Sequence, residues 1–150
     1  MSLGVRRAMS KQFFTHSFLL QVRWGDADAL GHINNVQFVR YLESARVAYC
    51  DDVLDVSFKP AMMSGWILAD MQCSYLQQVH YPAQLEIYTR IGKIGNKSAT
   101  ISADIYCEDE PVMRSQSIMV WFDYAQQKTV SVPDAVRAKI AAFEKSVEGL

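Results

Sequence analysis

The sequence predicts an α+β domain in which one curved antiparallel sheet of about five strands wraps a single long helix. Three observations lead there. A stretch of helical spacing free of Gly and Pro runs from the Asn34-Asn35 pair to about Leu54. Segments of strand-like alternation, joined by short turns, follow it, and one such segment precedes it. Short turns between successive strands imply antiparallel pairing, and a lone helix with an apolar stripe must bury that stripe on a sheet.

The elements follow in chain order. Phe18, Leu20, Val22 and Trp24 alternate with Leu19, Gln21 and Arg23, a strand pattern. Gly25 to His32 is short and polar with two glycines, hence a loop. Asn34 or Asn35 caps the helix, in which Val39, Leu42, Ala45, Arg46, Tyr49 and Val53 recur every three or four residues. Pro60 to Gly65 reads as a connection and Trp66 to Leu76 as a strand, ended by a turn at His80-Tyr81-Pro82. Leu85 to Ile91 alternates next, then a turn at Gly92 to Lys97, then Ala99 to Ile105. After the turn at Glu108 to Pro111 comes a long strand from Val112 to Phe122. Pro133 opens a last helix that runs to about Glu144. Tyr, Ile and Met residues are expected on the outer face of the sheet, which points to a homo-oligomer.

The 150 residues, half of them apolar, suit one domain over residues 13–150, with residues 1–12 expected to be a flexible N-terminal segment. Fifteen basic and 16 acidic residues are mixed along the chain, so nucleic acid is not an expected partner. No apolar run is long enough to cross a membrane, and none is expected as a partner. Cys50, Cys73 and Cys107 are widely spaced and odd in number, which fits a reduced, cytoplasmic protein. The Gly-rich nucleotide motifs and the G-x-S-x-G elbow of serine hydrolases are absent.

The densest constellation is Asp26-Ala27-Asp28-Ala29-Leu30-Gly31-His32-Ile33-Asn34-Asn35, between a strand end and a helix start. A helix N-terminus offers free N–H groups and partial positive charge, which stabilise a carboxylate or a developing oxyanion. Ester or thioester hydrolysis needs both parts: a carboxylate to attack or to activate water, and donors for the oxyanion. The plainer reading gives Asp26 and Asp28 to turns, an Asn to the helix cap and His32 to the scaffold. A metal on Asp26, Asp28 and His32 lacks further ligands elsewhere, so no metal and no other cofactor is expected.

The segment Val22 to Arg46 resembles the signature of the 4-hydroxybenzoyl-CoA thioesterase-like family: a strand, D-x-D-x-x-G-H-x-N-N, then a helix reading Y-x-x-Y/F-x-E-x-A-R. The likeness covers roughly residues 17–125. It implies a hotdog fold, with a long central helix wrapped by the sheet and subunits paired edge to edge as a homodimer or homotetramer. It implies active sites at the dimer interface and an acyl-CoA substrate. The family's catalytic aspartate stands just before the x-x-Gly step, so the role carries to Asp28, and Asp26 supports the loop. Plant acyl-carrier-protein thioesterases resemble the block too, with Asp28 and His32 matching, but Leu30 stands where their Asn would be. His32 is then an orienting or polarising group.

By the same resemblance, Gly65 offers its N–H to the thioester carbonyl, and Asn96 and Lys97 meet CoA phosphates. Asn35, Phe38, Tyr41 and Tyr75 line the substrate cleft. Some relatives use an acid on the central helix, which makes Glu43 the runner-up catalyst; its other reading is an ion pair with Arg40 or Arg46. Two rivals to acyl-CoA hydrolysis remain: an acyl-carrier-protein thioesterase, and a non-catalytic acyl-CoA sensor, which should lack the aspartate or carry a DNA-binding segment.

Overall fold

The computed structural model describes residues 11–55 and 61–150. The expected flexible segment falls mostly outside them. Its last two residues do not: Lys11–Phe13 form a short 3-10 turn, and the Lys11 ammonium sits 2.6 Å from Asp109 and 4.7 Å over the Tyr106 ring.

Strand β1 (His16–Gln21) precedes helix α1 (Asn35–Leu54); β2 (Ser64–Tyr75), β3 (Gln84–Ile94), β4 (Ser98–Cys107), β5 (Glu110–Asp123), a two-residue β6 (Lys128–Thr129) and α2 (Asp134–Phe143) follow. The sheet order is β1-β3-β4-β5-β2, every pairing is antiparallel, and β6 adds to β5. The hairpins β3–β4 and β4–β5 are those the turns predicted. The order makes β2 an outer strand, with one side of its backbone unpaired among the described residues.

Period-two alternation on β3 turns Leu85, Ile87 and Ile91 inward, where they are buried. They meet α1 through Phe38, Tyr41, Leu42 and Ala45 at one end and through Tyr49 and Leu54 at the other. The second of these clusters is closed by α2, through Val136 and Ile140. Outward positions are more polar than expected. Met113 and Met119 turn into the core, while Ser102, Asp104, Arg114 and Gln116 share the outer face with Tyr88 and Ile118.

Two boundaries differ from expectation. The first strand ends at Gln21, because Arg23 to Asp26 folds into a 3-10 turn held by Asp26. Gly65 lies inside β2, buried and paired with Phe122, rather than in the connection before it.

Candidate active site

The loop between β1 and α1 holds two carboxylates with opposite surroundings. Asp26 is buried and accepts hydrogen bonds from the Tyr41 hydroxyl at 2.7 Å and the Arg23 backbone N–H at 3.2 Å. The Arg23 guanidinium lies 3.1 Å from its other oxygen. Burial alone would push this carboxyl up, but the Tyr41 hydroxyl and Arg23 together hold it below the usual carboxylate range. Tyr41 is pushed up in turn, first by burial and then by Asp26, so it stays a neutral donor. Tyr41 was expected to line the substrate cleft; its hydroxyl is instead committed to Asp26 inside the core.

Asp28, two residues on, is exposed. Its Oδ1 accepts from the backbone N–H groups of Leu30 at 2.9 Å and His32 at 3.2 Å. Its own N–H donates to the His32 carbonyl at 2.7 Å, and Gly31, at φ +81°, closes the turn back to the Asp28 carbonyl. Glycine suits that left-handed backbone. One oxygen is thus fixed, while Oδ2 makes no hydrogen bond among the described residues.

Helix α1 starts beside this turn. Asn34 is its cap, accepting from the Val36 N–H at 2.9 Å. The next N–H, that of Asn35, has no acceptor among the described residues. A cleft of about 460 Å³ opens here, lined by Asp28, His32, Asn35, Phe38 and Tyr75, with Leu76, Gln77 and Gln78 on its far wall. The Tyr75 hydroxyl donates to the Asn35 carbonyl at 3.1 Å, and its ring stands edge-on to Phe38. Sequence reasoning missed that far wall and also His80, whose ring meets His32 edge-on at 4.5 Å. The Ile33 N–H donates to the Val79 carbonyl at 2.8 Å, which clamps the β2–β3 connection against the loop. The turn at His80-Tyr81-Pro82 was the available signal; nothing in it specified contact with His32.

Five of the predicted site residues therefore gather in one cleft. The other five do not: Tyr41 is committed to Asp26, and Gly65, Asn96, Lys97 and Glu43 lie elsewhere. Gly65 starts β2, whereas Tyr75 ends it, about 30 Å away along an extended strand. Asn96 and Lys97 sit in the β3–β4 turn at that same distant end, where the Lys97 carbonyl accepts from Trp121 at 2.8 Å. Glu43 is exposed on α1, and among the described residues it forms no ion pair with Arg40 or Arg46. The reason is the fate of Arg46, which the helix turns inward and buries.

Thiol chemistry has no support here. Burial pushes the Cys50 thiol up to about 12 and raises Cys73 and Cys107 as well, away from the thiolate a nucleophile needs. No cluster of three or more His, Cys, Asp or Glu side chains among the described residues is arranged to hold a metal ion.

A long helix wrapped by a curled antiparallel sheet is the hotdog fold, and the family match makes the chain a thioester hydrolase. The chain belongs to the thioesterase-like superfamily, whose family model matches residues 22–140. It is 30% identical over 125 residues to the uncharacterized protein YsmA of Bacillus subtilis, covering 83% of this chain and 84% of that one. It is 24% identical to the chloroplastic acyl-acyl carrier protein thioesterase ATL3 of Arabidopsis thaliana, covering 85% of this chain and 68% of that one. Among solved structures, the PA2801 protein of Pseudomonas aeruginosa, a candidate thioesterase, matches with a TM-score of 0.78 at 28% identity, covering 85% and 98% of the two chains. A Thermus thermophilus thioesterase complexed with coenzyme A and Zn shares the fold at 24% identity, with a TM-score of 0.77 over 89% and 96% of the two chains.

Proposed function

We propose that the protein hydrolyses an acyl-CoA thioester to the free acid and CoA, with the Asp28 carboxylate as general base or nucleophile. The observation that carries this reading is Asp28 itself, fixed through one oxygen on the rim of a cleft at the N-terminus of α1. Either Asp28 takes a proton from a water that attacks the thioester carbonyl, or its free oxygen attacks first and water releases the acyl group. The Asn35 N–H, at the positive end of the helix, polarises the carbonyl and meets the oxyanion. On the first route the CoA thiolate leaves as the tetrahedral intermediate collapses; on the second it leaves as the acyl–Asp28 anhydride forms, before water enters; in both it takes up the proton released by water.

The distant placement of Gly65, Asn96 and Lys97 fits a site shared by two subunits. An edge strand such as β2, pairing antiparallel with its own copy across a two-fold axis, brings the Gly65 end of one subunit beside the Tyr75 end of the other. Each cleft then receives the Gly65 N–H and the Lys97 turn from the partner subunit. Leu68 and Tyr75, exposed on β2, become covered in the same step. The solved coenzyme A complex of a fold relative supports the CoA carrier; the plant relative supports acyl-carrier-protein as the alternative.

The test is a free-thiol release assay on the purified protein across acyl-CoAs from acetyl to palmitoyl, plus benzoyl, with acyl-carrier-protein thioesters in parallel. Turnover of one acyl-CoA class supports the reading. Hydrolysis of acyl-carrier-protein thioesters alone selects the alternative, and release from neither sinks both.

A further inference from the structure

His80 stands beside the candidate site and has no part in the reaction proposed above. It is exposed, in the β2–β3 connection, and it lines not the Asp28 cleft but a neighbouring cavity of about 600 Å³. Its ring meets the His32 ring edge-on, with 4.5 Å between centroids and 69° between planes. The backbone reinforces the contact. His32 and His80 form an antiparallel bridge, and the Ile33 N–H donates to the Val79 carbonyl at 2.8 Å.

The His32 side chain depends on such a contact. Its backbone is fixed to Asp28: its N–H donates to Oδ1 at 3.2 Å, and its carbonyl accepts from the Asp28 N–H at 2.7 Å. The side-chain torsions remain, and among the described residues no hydrogen bond to the His32 ring holds them. Yet among the described residues His32 is the one imidazole lining the cleft, able to accept or donate a proton at its ring nitrogens. A half-buried ring without a polar anchor is oriented by what it packs against. An edge-to-face aromatic pair favours one rotamer over the others by up to about tenfold.

Resting on the thioesterase reading above, we infer that His80 is a positioning residue: its ring holds the His32 imidazole turned into the Asp28 cleft, where it can hydrogen-bond the thioester carbonyl or the leaving sulfur. His80 itself touches no substrate. Two consequences separate this from a merely structural role. Removing the His80 ring lowers kcat and leaves KM alone, and the loss vanishes where His32 has no ring to hold.

The test is a double-mutant cycle in thiol release from the best acyl thioester, with the wild type, His80→Ala, His32→Ala and the double variant. His80→Ala is expected to lower kcat about fivefold, with KM within about twofold, and to cost nothing further in the His32→Ala background. His80→Phe keeps an aromatic ring and should recover most of the lost rate. His80→Leu keeps bulk without a ring and should not; it replaces His80→Ala in the cycle if that variant does not fold. An unchanged kcat in His80→Ala overturns the proposal. So does an equal loss with and without the His32 ring, or a His80→Phe variant as slow as His80→Ala. If no thioester is hydrolysed at all, the reading of the activity fails separately, and the Hα–Hβ couplings of His32, measured by NMR, still decide the role of His80. They should report one staggered rotamer in the wild type and an average in His80→Ala; the same couplings in both proteins overturn the proposal.

Discussion

The inner and outer sides of the loop that enters α1 carry one aspartate each, and they behave differently. On the inner side Asp26 is buried, takes hydrogen bonds from Tyr41 and Arg23, and returns its backbone carbonyl to the Asn34 N–H at 3.1 Å. It ties β1 to the start of the helix. On the outer side Asp28 accepts, among the described residues, only from N–H groups of its own turn and leaves an oxygen unused. A carboxylate saturated by buried donors is stabilised as an ion and has no lone pair to offer a substrate. One anchored through a single oxygen is positioned and still reactive. The spacing of the two residues therefore divides structure from chemistry within one short motif.

That division can be broken from the inner side, where the expected effects are on the fold. Asp26→Ala leaves the buried Tyr41 hydroxyl and the Arg23 N–H without their acceptor and should lower stability by about 3 kcal/mol in urea titration. Tyr41→Phe removes one hydrogen bond to a charged group and should cost about 1.5 kcal/mol by the same measurement. Asn34→Ala loses the α1 cap alone, worth about 1 kcal/mol. In all three, turnover per folded molecule should change less than stability does. Smallest of all is Glu43→Gln, for which the thiol-release rate should stay within about threefold of wild type; a dead Glu43→Gln variant would move the chemistry onto the helix.

Acid sharpens the same contrast. The carboxyl of Asp26 is held below its ordinary value in the folded protein, so its contribution to stability is full above about pH 4 and is lost as pH falls through the lowered folded value. The stability gap between wild type and Asp26→Ala, measured by urea melts, should thus be constant near neutrality and close below about pH 4. A gap that stayed constant down to strong acid would mean that the ion at Asp26 does no structural work.

Much of this was legible in the residues. The helix from Asn35 to Leu54 follows from an unbroken apolar spacing behind an Asn cap, and the strand alternation gave the inward set Leu85, Ile87 and Ile91. The D-x-D-x-x-G-H-x-N-N block located the cleft because its parts are local: a carboxylate, a left-handed glycine and a cap all act within a few residues. Longer-range consequences were hidden. The end of β1 depends on the Asp26 side chain reaching back to the Arg23 N–H, which alternation in Phe18 to Trp24 does not encode. Glu43 and Arg46 read as an ion pair at helical spacing, yet Arg46 is buried and Glu43 stays outside. Gly65 and Lys97 could not be placed relative to Asp28 without the order β1-β3-β4-β5-β2, which is a property of the whole sheet.

The central claim, that the carboxylate of Asp28 does the chemistry, rests most directly on one variant. Asp28→Asn keeps the size and an acceptor oxygen for the Leu30 and His32 N–H groups, so the turn survives and circular dichroism should match the wild type. The charge is gone, and the side chain can neither attack a carbonyl nor accept a proton from water. The turnover number for the best acyl thioester should fall by at least about 10²-fold with the Michaelis constant little changed. A folded Asp28→Asn protein that turns over at the wild-type rate would contradict the account.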